Sequence, residues 1–198
     1  MSVSPLLSFC RPALIALFLS LAACGMTAIQ NPYYNVAEVG SFKTYGAPDR
    51  VMLLEMHGAV DGMTNADWAR ILSNRGFAPR LTFVDDAENP PMTSDGTKAV
   101  LRPQYRLVAV IHPTQASFRD TMCQNPVSAA PATADERTAV RFTFCAGDSG
   151  VSEVRVDIAN PVTEQELDSI ASPLIQTLFP HPRPGRTNRG CGGILPPC

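Results

Sequence analysis

The chain of 198 residues carries 16 Lys+Arg against 18 Asp+Glu, a formal net charge of -2, with 45% apolar and 17% charged residues, 18 prolines and 6 cysteines. That apolar share excludes wholesale disorder, and the weak acidity excludes a protein that gains its affinity by displacing counterions from nucleic acid. The length suits one domain with tails.

The N-terminus holds an 11-residue run, Ala13 to Ala23, in which Ser20 is the one polar residue and Arg11 the preceding charge. A membrane-spanning helix needs about 20 apolar residues, so the run has the length of a signal-peptide core instead. It ends in Leu21-Ala22-Ala23-Cys24-Gly25. This ending resembles the lipobox of bacterial lipoproteins, where an apolar residue and two small ones precede a cysteine. The resemblance covers residues 1 to 25 and implies cleavage before Cys24, a diacylglyceryl group on its thiol and an acyl chain such as palmitate on its new amino group. Two or more chains hold a protein stably to a bilayer. Gly25, where Asp would mark retention, resembles the pattern exported to the outer membrane. The expected division is a signal peptide over 1–23, a lipidated N-terminus and tether over 24–47, a globular domain over 48–180 and a Pro/Gly/Arg-rich tail over 181–198.

Residues 25 to 47 show no sustained hydrophobic period, though four aromatics in them suggest partial docking. Val51–Met56 reads as a strand with Glu55 as its polar misfit. Thr64 and Asp67 signal a helix start, Met63 and Trp68 a hydrophobic staple, and Trp68, Ile71, Leu72 and Arg75 one face that ends at Gly76. Arg80–Val84 reads as a strand, and residues 85 to 102 as a solvated loop. Tyr105–Ile111 is the most continuous apolar strand pattern. Pro113–Gln124 admits a short helix ending near Cys123.

Residues 138 to 145 alternate, with Val140, Phe142 and Phe144 opposite Arg141 and Thr143. Val154, Val156 and Ile158 alternate against Glu153, Arg155 and Asp157. The turn Gly147-Asp148-Ser149-Gly150 joins them, so the pair reads as a β-hairpin with one wet face. Thr163 with Glu166 forms a capping box for a last helix with a stripe from Leu167 to Phe179, which Pro173 should kink or divide. These elements predict an α+β domain: a single mixed sheet of about five strands with two main helices on one face.

With Cys10 discarded and Cys24 acylated, Cys123, Cys145, Cys191 and Cys198 remain. Four cysteines in an exported chain point to two disulfides, with three connectivities open and the sequential one, 123–145 with 191–198, favoured by proximity. The thiolate pairs that hold a structural metal, such as C-x2-C, are missing. No metal, cofactor or nucleic acid is expected, and no catalytic set stands out.

Two constellations of residues could carry chemistry. Cys145-Ala-Gly147-Asp148-Ser149-Gly150 resembles the segment around the nucleophile of trypsin-like serine proteases, but His57 lacks that family's surrounding residues, and a hairpin turn explains the same letters. His57 and His112 both follow strand ends; beside Glu55, Asp61 or Asp120 they would make an acid–base or metal site on one rim of the sheet. The residues therefore favour a lipid-anchored envelope protein with a non-enzymatic binding or assembly role in the periplasm, its partners the membrane and envelope proteins or cell wall. The alternatives are an envelope hydrolase with a site near His57 and His112, and a carrier of a small apolar ligand.

Overall fold

The computed structural model of the chain describes residues 28–114, 119–127 and 137–181. In chain order they form β1 (Ala28–Tyr34), α1 (Val36–Gly46), β2 (Val51–His57), α2 (Asn65–Leu72), β3 (Thr82–Val84), β4 (Tyr105–Ile111), α3 (Arg119–Gln124), β5 (Arg137–Ala146), β6 (Ser149–Ala159) and α4 (Glu164–Leu178). The fold is α+β, with one mixed sheet of six strands in the order β1-β6-β5-β4-β2-β3. β2 runs parallel to both β3 and β4, and β4, β5, β6 and β1 follow one another antiparallel. The parallel part comes from the strand–helix–strand unit β2–α2–β3. The antiparallel part comes from the hairpin, closed by Gly147 at φ 61°, where an L-residue would be strained.

Side-chain alternation gives the sheet two unlike faces. Leu107, Ala109 and Ile111 of β4 join Val140, Phe142 and Phe144 of β5 and Val154, Val156 and Ile158 of β6 in one apolar cluster. α2 and α4 pack there through Trp68, Ile71 and Leu72 and through Leu167, Ile170, Leu174 and Leu178, and α1 adds Val39. The opposite face has a small cluster in which Met122 and Cys123 of α3 cover Val108, Val110 and Cys145. α2 and α4 both start with a complete capping box, Thr64 with Asp67 and Thr163 with Glu166, so each satisfies two otherwise orphaned N–H groups at its entry.

Several expectations need correction. The sheet has six strands and the described chain four helices, against about five and two. The added elements are β1 and α1, which occupy most of the segment expected to be a tether. α1 buries Val39 and packs Phe42 against the core, so its apolar residues are too sparse to make a periodic stripe. β1 is an edge strand containing Pro32, and its register with β6 shifts between Gln30 and Tyr33. Proline fits there because an edge N–H need not join the ladder. α2 stops at Leu72, three residues before Arg75, because Ser73 leaves helical geometry and Asn74, at φ 60°, donates its N–H to Leu81 O. α4 runs on through Pro173 without dividing.

The hairpin's second face is not wet. Arg141 and Thr143 are 7% and 0% exposed. α3 lies on that face, and Arg141 is neutralised on it by Glu153 at 2.7 Å.

The core makes a direct prediction. Phe142 is fully buried with its ring 6.1 Å from that of Trp68. Phe142→Ala is expected to cost about 3–5 kcal/mol in denaturant unfolding, whereas Tyr45→Ala, at a 59% exposed side chain, should cost less than about 1 kcal/mol.

Candidate functional site

The strand registers turn the second face into a map. One row runs Tyr33, Glu153, Thr143, Val108, Glu55 across β1, β6, β5, β4 and β2. The next runs Gln30, Arg155, Arg141, Val110, His57. The row on the other side holds Gly150, Cys145, Arg106 and Leu53. Polar side chains thus enter from β1 and β6 at one side and from β2 at the other. The apolar patch under α3 lies between them.

The β2 side gathers Glu55, His57 and Arg106. Glu55 and His57 are two apart on one strand and so share a face. Arg106 reaches Glu55 from the neighbouring strand. Glu55 accepts from Arg106 Nε at 2.5 Å and meets His57 Nε2 at 2.7 Å. Arg106 also donates to Cys123 O at 2.7 Å and Gly147 O at 3.4 Å. Burial alone would push the Glu55 carboxyl up, but the hydrogen bonds from His57 and Arg106, helped by the arginine's charge, hold it below the ordinary carboxylate range. Glu55 is therefore a fixed anion that orients His57 and anchors Arg106. His57 makes no hydrogen bond to a serine, threonine or cysteine among the described residues, so the pair is a base with its orienting group and no nucleophile placed beside it.

His112 follows β4 in a left-handed conformation, φ 49°, with its N–H donated to Ala139 O at 2.7 Å. Among the described residues no group of three or more His, Cys, Asp or Glu is placed to hold a metal ion. Asp120 lies away from this rim. It accepts the Gly150 N–H at 2.8 Å at the β5–β6 turn, the opposite end of the sheet. Ser149 sits at that turn too. Its partner Ala146 pairs with Tyr105, five residues along β4 from the Val110 that pairs with His57. Five strand residues span about 17 Å, too far for a serine–histidine pair. The serine-protease resemblance is therefore a hairpin turn.

Cys123 and Cys145 are joined by a disulfide, tying α3 to β5. Cys24, Cys191, Cys198 and the signal peptide lie outside the described residues, as does nearly all of the tail. The sequence reading did not find Arg106 or the Arg141–Glu153 pair. An arginine at the second position of an otherwise apolar strand, facing the misfit glutamate of the neighbouring one, was the signal available.

No family model matches the chain, and neither does any curated protein or solved structure.

Glu55→Gln tests the cluster. The depressed carboxyl contributes stability that is present above the ordinary value of 4.5 and lost as pH falls through the lower folded value. The variant should be less stable than the parent by about 1 kcal/mol at pH 7, and the gap should close in thermal unfolding as pH drops below that range.

Proposed function

We propose that the protein is a lipid-anchored component of a bacterial cell envelope, held at the outer membrane and facing the periplasm, with a binding or assembly role rather than a catalytic one. The observation that carries this reading is Leu21-Ala22-Ala23-Cys24 at the end of an 11-residue apolar run. The disulfide between Cys123 and Cys145 supports it independently, because such a bond persists in oxidising compartments and is rare in the cytosol. No helix among the described residues is long and apolar enough to cross a membrane.

The fold gives the anchored reading a definite geometry. β1 begins at Ala28, four residues after Cys24. Four residues reach at most about 14 Å, so the domain would sit against the bilayer instead of swinging on a long tether. Ala28 pairs with Asp157, and that end of the sheet also holds His57 and the β4–His112 junction. Under this reading the histidine rim faces the lipid, and the β5–β6 turn faces the periplasm.

The Glu55–His57 contact favours a second reading, an envelope hydrolase using His57 as base, but it supplies one half of a catalytic pair. The apolar-ligand carrier gains no comparable support: Leu107, Phe142, Leu167 and Leu174, which lie between sheet and helices, are all fully buried in one cluster.

Cys24→Ser decides the anchor. The parent protein should incorporate labelled palmitate and stay with the membrane fraction. The variant should lose the label, keep its signal peptide unprocessed by the lipoprotein route and change its extraction by detergent. Equal labelling and equal processing of the two would refute the lipid anchor. The disulfide has its own test: replacing both Cys123 and Cys145 with alanine should lower stability by about 2–4 kcal/mol, read as a drop in the unfolding midpoint relative to the oxidised parent.

A further inference from the structure

At the β5–β6 turn a cleft of about 590 Å³ opens between α1 and α3. Glu38 and Phe42 line it from α1, Arg119 and Asp120 from α3, and Tyr105 and Gly150 from the sheet. Its volume is that of a small-molecule site, and it combines apolar walls with a few charged groups.

Arg119 is the unusual member. Its guanidinium lies 3.7 Å from the centroid of the Tyr33 ring, and the nearest Asp120 oxygen is 3.8 Å from its Nε. Among the described residues its Nε is buried without a hydrogen-bond partner. A guanidinium carries five N–H donors, and donors left unused in a partly buried position cost stability unless another group takes them. The side chain is nevertheless held in place. Tyr33 stacks on one part of it, and Gly150 makes room for its stem: a Cβ built on Gly150 would sit 2.2 Å from Arg119 Cγ. Gly150 is fixed in turn by the hydrogen bond of its N–H to Asp120. The arginine is oriented, and apart from the 3.8 Å ion pair between its Nε and Asp120 no carboxylate among the described residues occupies its fork. A planar fork of this kind matches a carboxylate through two parallel hydrogen bonds. On the α1 side Glu38 makes no ion pair among the described residues and offers the opposite charge. Phe42 and Tyr105, with ring centroids 5.9 Å apart, give the same cleft an aromatic wall.

We propose that this cleft binds a short peptide as a zwitterion, its terminal carboxylate on Arg119, its ammonium toward Glu38 and an apolar side chain against Phe42 and Tyr105. The inference deepens the binding role proposed above and does not depend on the anchor. Loss of labelling in the Cys24→Ser experiment reports on the anchor, whereas the measurement below reports on the cleft.

The test is calorimetric titration of the purified protein, as its host produces it and in detergent micelles, with the dipeptide alanyl-phenylalanine and with its C-terminal amide. The acid should bind saturably, and the amide at least about tenfold more weakly, because it loses the charge-assisted pair. Arg119→Gln and Gly150→Ala should each weaken the acid by about tenfold or more, the second without removing any charge. Arg102→Gln should leave binding unchanged, since Arg102 stacks on Tyr45 at 4.1 Å outside the cleft. Equal binding of acid and amide overturns the proposal, as does full retention of affinity in Arg119→Gln or no saturable binding up to about 10 mM. The acid–amide comparison uses the unaltered protein, so it decides the matter even where a variant fails to fold.

Discussion

Arg106 sets the terms for the second face of the sheet. Its side chain is 17% exposed, so its charge is largely withdrawn from water and must be met by fixed partners. Three chain segments meet it: Glu55 from β2, the Cys123 carbonyl at the end of α3 and the Gly147 carbonyl at the hairpin turn. The disulfide then ties Cys123 to Cys145, the residue that pairs with Arg106 on the neighbouring strand. One cation and one covalent link therefore fix the same short helix from two directions. The apolar contribution of α3 is small, Met122 and Cys123 out of six residues, so these ties and the Gly150 N–H to Asp120 carry much of its attachment.

The two faces of the sheet divide labour. The face toward α2 and α4 is apolar and closed and supplies most of the burial. The other face is polar at both sides of α3 and holds its charges in pairs, Arg106 with Glu55 and Arg141 with Glu153. Where such a pair is buried, as Arg141 with Glu153 is, it adds little net stability, since desolvation offsets most of the attraction, but removing one partner is costly. Such pairs specify where each element sits more than how firmly it is held.

Much of the fold was legible in the sequence wherever a local rule and the tertiary structure agreed. The β5–β6 alternation, the capping boxes at Thr64 and Thr163 and the apolar run of β4 each satisfy a short-range requirement that survives folding unchanged. β1 and α1 were not legible, because neither makes enough apolar contact to leave a period: one is an edge strand with a proline, the other buries Val39 and half-buries Phe42. The wet face assigned to Arg141 and Thr143 failed for a different reason. Alternation tells which residues share a face, but whether that face meets water depends on α3, a remote and very short element. The Arg119 cleft was equally hidden, since β1, α1, α3 and the hairpin turn converge on it from distant parts of the chain.

Pro32 gives the edge strand a further meaning under the anchored reading. Copies confined to one plane meet each other far more often, and in fewer orientations, than copies free in solution. Their exposed sheet edges would be brought side by side repeatedly. A missing N–H and a shifted register between Gln30 and Tyr33 deny a neighbouring chain a regular ladder to extend. Under that reading the irregularity of β1 would let a crowded surface of these molecules remain a set of separate ones.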